Sequence, residues 1–146
     1  MNKRRIDGQI TGMAGEFLTL GKLFKRGYQG SVTFGNAKAI DLFVYNPETE
    51  RTFNVQVKTL RTKNCFLVRR EDIHPDHIYI FVLLNGLDKD EEFFIVPGHD
   101  ILADIDKFFG SSYRGREKPS SMPAINYGPL AAYRGNWKIF DKEDPS

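Results

Sequence analysis

Apolar residues near the start of the chain fall at Ile6, Ile10, Met13, Phe17, Leu20 and Phe24, at steps of four, three, four, three and four. This is one stripe of a helix ending near Gly27, and it predicts the surface that turns to the core. Asp7 or an earlier residue is placed to cap the helix, and Lys25 and Arg26 suit its negative C-terminal end. Beyond it the period shortens. Short strands are predicted at 31–34 and 39–45 ("AIDLFVY"), and a hairpin turn at 46–51 leads into an alternating strand at 53–60. A strand at 65–68 follows, the His74-Pro75-Asp76 step breaks the chain, and 77–84 ("HIYIFVLL") reads as a strand buried on both faces. After a polar turn at 85–91 come a strand at 92–97 ("EFFIVP") and a helix at 100–109. Residues 110–124, rich in Gly, Ser, Pro and Arg, read as a long mobile surface loop. Residues 127–140 read as a helical turn and a last strand around Trp137. The order of helix, strands and helix predicts an α/β (α+β) fold with a central mixed sheet flanked by helices.

Composition narrows this picture. At 146 residues and 40% hydrophobic, the chain holds one ordinary core, and 13% aromatic content argues against disorder. One domain over 1–146 is expected, with a core of about 7–109, the 110–124 loop and a C-terminal segment at 125–146. No apolar run approaches the roughly 18 residues that span a bilayer, and the basic start lacks the apolar stretch of a secretory signal. The single Cys65 forms no internal disulfide, which fits a reducing compartment, so a cytoplasmic protein with no membrane partner is expected. A net charge of +2 permits an anionic partner without demanding one.

Four polar residues sit where the pattern predicts core or its edge. Glu16 flanks the helix stripe beside Met13 and Leu20, and Asp41 is the one charge inside "AIDLFVY". Gln56 and Lys58 share the polar face of the 53–60 strand, about 6.6 Å apart. Antiparallel pairing across the short turn brings Asp41 beside Gln56, and a helix packed across that sheet can lower Glu16 onto the same spot. Two carboxylates and an amide are hard oxygen donors of the kind that suit Mg²⁺ or Mn²⁺. A lysine beside them can orient a water or stabilise charge on an attacked phosphate. Singly, each has a plainer reading: a solvated strand lysine, a carboxylate bonded to turn backbone, a surface glutamate. Their order along the chain favours the functional one.

A helix carrying Glu, a strand with "ID", a turn and a strand ending in "QVK" resemble the PD-(D/E)xK nuclease superfamily, of restriction endonuclease-like fold. The resemblance covers about 7–84. It implies a metal-dependent endonuclease that hydrolyses phosphodiesters, of DNA more than RNA, with Mg²⁺ (or Mn²⁺). By position, Asp41 matches the metal-binding Asp, Gln56 the second acidic residue, Lys58 the lysine and Glu16 the helix-borne Glu, with the Val57 carbonyl completing the metal shell. Gln56 is a departure from Asp or Glu, although members with Gln there are similar to active homing nucleases. The lost charge weakens the metal site, so an inactive nuclease-fold module that binds nucleic acid or a protein partner is the alternative.

Other residues bear on partners. Arg61, Lys63, Arg69 and Arg70 follow the "QVK" strand, and Arg114, Arg116 and Lys118 lie in the 110–124 loop. Placed around Lys58 they would hold phosphates, and Tyr113 would stack on an exposed base. A domain of this size also suits a homodimer or a targeting partner. His74 and His77 lack partners at any zinc spacing and read as loop and strand-start residues. His99 reads as a helix start and Cys65 as inert core. Nothing between Gly110 and Gly115 matches a phosphate-binding loop.

Overall fold

The computed structural model describes residues 6–33, 41–115, 117–118 and 120–143. Its helices are α1 (Gly8–Lys25), α2 (Gly98–Ala103), α3 (Ile105–Phe109) and α4 (Tyr127–Leu130). Its strands are β1 (Gln29–Val32), β2 (Leu42–Asn46), β3 (Arg51–Leu60), β4 (Phe66–Leu67), β5 (Ile78–Leu83), β6 (Glu92–Pro97) and β7 (Ala124–Ile125). Five strands form one mixed sheet in the order β1-β2-β3-β5-β6, in which only β3 and β5 run parallel. β4 and β7 pair separately. The fold is mixed α/β, with helices on a mixed central sheet, as the periodicity predicts.

Strand alternation divides the core into two layers. Val55, Val57, Ile80 and Val82 face one way and pack with Leu23 of α1 and with Trp137, Ile139 and Phe140. Tyr79, Phe81, Leu83 and Phe94 face the other way and pack with Phe108 and Phe109 of α3, Ile125 and Leu130. β5 is buried at every position because both layers cover it. The β2–β3 hairpin closes as its sequence suggests: Asn46 Oδ1 accepts from the Glu48 amide at 2.9 Å, and Glu50 takes positive φ.

α1 forms where expected, with Asp7 Oδ1 capping the Gln9 amide at 2.7 Å, but its stripe does not face the core. Ile10, Met13, Phe17 and Phe24 are 51%, 44%, 50% and 53% exposed, while Gly15, Thr19 and Leu23 are buried. A Cβ on Gly15 would overlap the Thr59 side chain of β3. The face that lets the backbones approach therefore wins over the more apolar face.

Three further expectations change. Residues 98–109 form two short helices, because Asp104 leaves helical geometry at φ −145° and instead caps α3 through the Lys107 amide. The 110–124 stretch is not a plain surface loop. It opens with a 3₁₀ turn at Gly110–Ser112 and ends in β7, and Tyr113 between them is buried edge-on against Phe109. The segment around Trp137 is a 3₁₀ helix, Trp137–Asp141, and not a strand. It lays Phe140 edge-to-face on Phe53 at 5.1 Å between ring centres, closing the α1 side of the sheet.

Candidate active site

Leu42 faces Val55 across the β2–β3 ladder, so Asp41, one residue earlier, arrives beside Gln56. The Asp41 amide donates to the Val55 carbonyl at 2.9 Å. Asp41 Oδ2 then accepts from the Val57 amide at 2.8 Å. The carboxylate thus takes over the strand's hydrogen bonding where the main-chain ladder ends. One carboxylate oxygen is fixed in this way.

Glu16 comes to the same place from the opposite layer, because Gly15 seats α1 directly on β3. Its carboxyl is held above the ordinary range, first by burial and then by the charge of Asp41. Burial and the neighbouring Asp41 charge both disfavour the ionised form of Glu16, a cost that a cation there would relieve.

Gln56 and Lys58 lie on the other face of β3, in register with Tyr79 and Phe81 of β5. Both line a cleft of about 510 Å³, whose far wall is Glu71, Asp72, Ile73, His74, Pro75 and His77. Gln56 is buried, and its partners fix which end of the amide faces them. Tyr79 Oη is 3.2 Å from the Asp72 carbonyl, which can only accept, so the one phenol proton goes there. The His74 amide donates to the same oxygen at 2.7 Å, and Gln56 lies 3.1 Å away. Facing an oxygen whose proton is committed, Gln56 must present Nε2. The second Nε2 proton points at His77 Nδ1, 3.2 Å away. His77 is thereby the neutral tautomer with its proton on Nε2, in keeping with a pKa lowered by burial and by His74. His74 stacks on it at 4.1 Å between ring centres. Both amide protons are consumed, so Gln56 Oε1 is the end left over.

The structure brings Glu16 near Asp41 and sets Gln56 and Lys58 together on the other face of β3, and sequence reasoning missed what supports Gln56. Tyr79 sits in a wholly apolar run where only its hydroxyl distinguishes it. His77 reads in sequence as a strand-start residue, whereas its ring nitrogen meets Gln56. Gly98 is needed because a Cβ there would overlap the His74 carbonyl, which packs on the start of α2.

The described basic residues take separate partners. Arg61 Nε donates to Thr11 Oγ1 at 2.9 Å, tying the end of β3 to α1. Lys63 lies over the Tyr127 ring at 4.1 Å. Arg70 covers the Tyr113 ring at 4.3 Å, and Arg114 Nε pairs with Asp106 at 3.5 Å. Arg69 borders a second hollow that shares Asp72 with the cleft. Arg116 lies outside the described residues. Tyr113 cannot stack on a base as expected: its ring is buried and its hydroxyl accepts from the Arg70 amide at 3.0 Å. Among the described residues no three His, Cys, Asp or Glu side chains converge in a metal-binding group. None of the helices searched is long and apolar enough to cross a membrane.

No known family model matches the sequence, and no curated protein matches it. A solved structure does. It is that of a bacterial homing endonuclease, I-Ssp6803I, similar over 94% of both chains with a TM-score of 0.61 and 16% identity. At that identity the likeness is one of fold.

Proposed function

We propose that this chain is a metal-dependent nuclease of the PD-(D/E)xK type, restriction endonuclease-like in fold, hydrolysing phosphodiesters of DNA in preference to RNA. The observation that carries this reading is the meeting of Glu16 and Asp41 at the point where Asp41 caps the Val57 amide. The shared fold with a homing endonuclease supports it. The donor types fit Mg²⁺ or Mn²⁺: the Glu16 and Asp41 carboxylates, with the Gln56 amide oxygen and the Val57 carbonyl that the resemblance adds to them, are all hard oxygens. Such an ion, when bound, would polarise a phosphate and acidify a water.

The residues' own tasks follow. Asp41, tied by one oxygen to the Val57 amide, would hold the ion with its carboxylate. Gln56 offers Oε1 because Tyr79 and His77 hold its other end. Lys58, in the same cleft, orients the attacking water or stabilises charge on the phosphate. Arg61, Lys63, Arg69, Arg70, Arg114 and Arg116 supply phosphate contacts along the substrate. The chain acts as one domain, in a reducing cytoplasmic setting, as a homodimer or with a targeting partner.

The test is a cleavage assay on single-stranded, double-stranded and branched substrates with Mg²⁺ or Mn²⁺. Lys58→Ala should abolish cleavage and leave the fold intact, and unchanged cleavage by a folded variant removes Lys58 from the mechanism. A second reading, a nuclease-fold module that binds nucleic acid without cutting it, is favoured by the want of a third convergent acid among the described residues. That reading expects DNA binding that falls steeply with salt yet ignores Mg²⁺ and Asp41→Ala. Binding by anisotropy over a salt series separates the two.

A further inference from the structure

The exposed stripe of α1 is the largest unpartnered apolar feature the fold leaves on any described element. Ile10, Met13, Phe17 and Phe24 are each about half exposed and follow one line over about four turns, and Ile6, just before the cap, is as exposed. Together they show solvent on the order of 500 Å², at the upper end of what a monomer ordinarily leaves open. The stripe borders the open edge of the sheet, since Leu20 packs against Gly30 of the edge strand β1. Gly21 beside it has nothing within 4 Å of where its Cβ would be, so another backbone can come close.

We infer that a second copy of this chain covers the stripe, through antiparallel packing of α1 on α1 about a two-fold axis near Phe17. The spacing of four and three is that of helices that interlock side by side. It is also self-complementary when reversed: with Phe17 against Phe17, Ile10 meets Phe24 of the other copy and Met13 meets Gly21, next to Leu20. Charge selects the direction. The acidic cap Asp7 and the basic last turn with Lys22 and Lys25 lie at opposite ends of α1, and an antiparallel pair sets each end near its opposite. A parallel pair would put the two basic ends side by side. Antiparallel dipoles add to the preference. Two copies would remove on the order of 1,000 Å² from water, the threshold of a stable interface. The inference rests on the surface of α1 and does not depend on the nuclease reading.

Sedimentation equilibrium at micromolar concentration should give twice the mass of one chain. Phe17→Glu, which sets two charges face to face at the axis, should raise the dissociation constant by about a hundredfold or more. Direction and register are read by cross-linking in a Cys65→Ser background, which also holds if the charge variant folds poorly. Phe17→Cys should oxidise to a covalent dimer. Ile10→Cys and Phe24→Cys should not link alone but should link to one another when mixed. A wild-type chain of single mass overturns the proposal, as does Ile10→Cys linking to itself. So does a monomer that floats with phosphatidylserine-containing vesicles, which would give the stripe to a lipid surface.

Discussion

Removing the hydroxyl of Tyr79 tests the site through one atom. In the native chain that oxygen donates to the Asp72 carbonyl and accepts from the His74 amide and Gln56 Nε2. Burial raises the phenol pKa, so it keeps its proton throughout the neutral range. Tyr79→Phe leaves the His74 amide and the Asp72 carbonyl without this partner in a part-buried place. Each such group costs about 1–3 kcal/mol, eased where cleft water reaches it, so a loss of about 2 kcal/mol in urea unfolding is expected. The functional effect is separate. Without the phenol, Nε2 retains only His77 Nδ1, and the amide can turn if His77 shifts its proton to Nδ1. The discrimination lost is one hydrogen bond, about 1 kcal/mol, which corresponds to roughly a fivefold change in how the two orientations are shared.

Mn²⁺ affinity by calorimetry should therefore fall by about three- to tenfold in Tyr79→Phe, with Asp41 and Glu16 untouched. The stability loss and the affinity loss are independent readouts. A variant that unfolds more easily yet binds Mn²⁺ as the wild type does would refute the reasoning. It would mean that the phenol supports the 72–74 turn and does not orient Gln56.

Gln56→Glu should tighten Mn²⁺ binding by an order of magnitude or so, because a full charge replaces a dipole at contact distance, and equal affinities by calorimetry would place residue 56 outside the ion's reach. The pKa of Glu16 is raised above 4.5 by burial and Asp41, so protons compete with the ion there. Mn²⁺ affinity should rise with pH through that raised pKa, and Glu16→Gln should flatten this profile while stabilising the metal-free chain near neutrality, checked by thermal unfolding with and without Mn²⁺. His77 has a pKa below 6.5 when folded, so the unfolded chain takes up its proton first as pH falls. Stability should thus decline below about pH 6.5 and level off once folded His77 is protonated too; a His77→Gln variant in urea should lose this dependence. Gly15→Ala should destabilise by about 1–3 kcal/mol through overlap with Thr59 and move Glu16 off Asp41, seen as a Glu16 carboxyl shifted toward its ordinary pKa by NMR.

What the sequence could tell depended on whether a feature was local. β6 has the predicted bounds, and β3 and β5 differ by one or two residues at an end, because alternation and full burial are written in consecutive positions. Asp41 and Gln56 could be paired in advance because a short hairpin joins their strands. Trp137–Asp141 misled because Trp137 and Ile139 alternate as in a strand, while Phe140 is buried as well and the chain turns in 3₁₀ geometry to lie on Phe53 and Tyr28. Tyr113 misled because its neighbours in sequence are basic, whereas its neighbours in space are Phe109 and the Arg70 amide. Tyr79 and His77 could not be found at all. Their part in orienting Gln56 rests on a parallel crossover, and no spacing along the chain announces it.

The one large misreading, which face of α1 turns inward, joins the site to the surface of the molecule. At 100° per residue, Phe17 and Thr19 lie about 160° apart around the helix. With Thr19 inward, Glu16 sits about 60° from the core direction, on the flank that reaches Asp41. Turning Phe17 inward would bury far more apolar surface, yet it would carry Glu16 to the opposite flank, about 100° from the core direction. It would also replace the close Gly15–Thr59 contact with bulky side chains that hold the helix off the sheet. The rotation that brings the two carboxylates together is therefore the same one that leaves Ile10, Met13, Phe17 and Phe24 in solvent. A carboxylate at the sheet's fork and an apolar stripe left in solvent are two consequences of a single glycine at position 15.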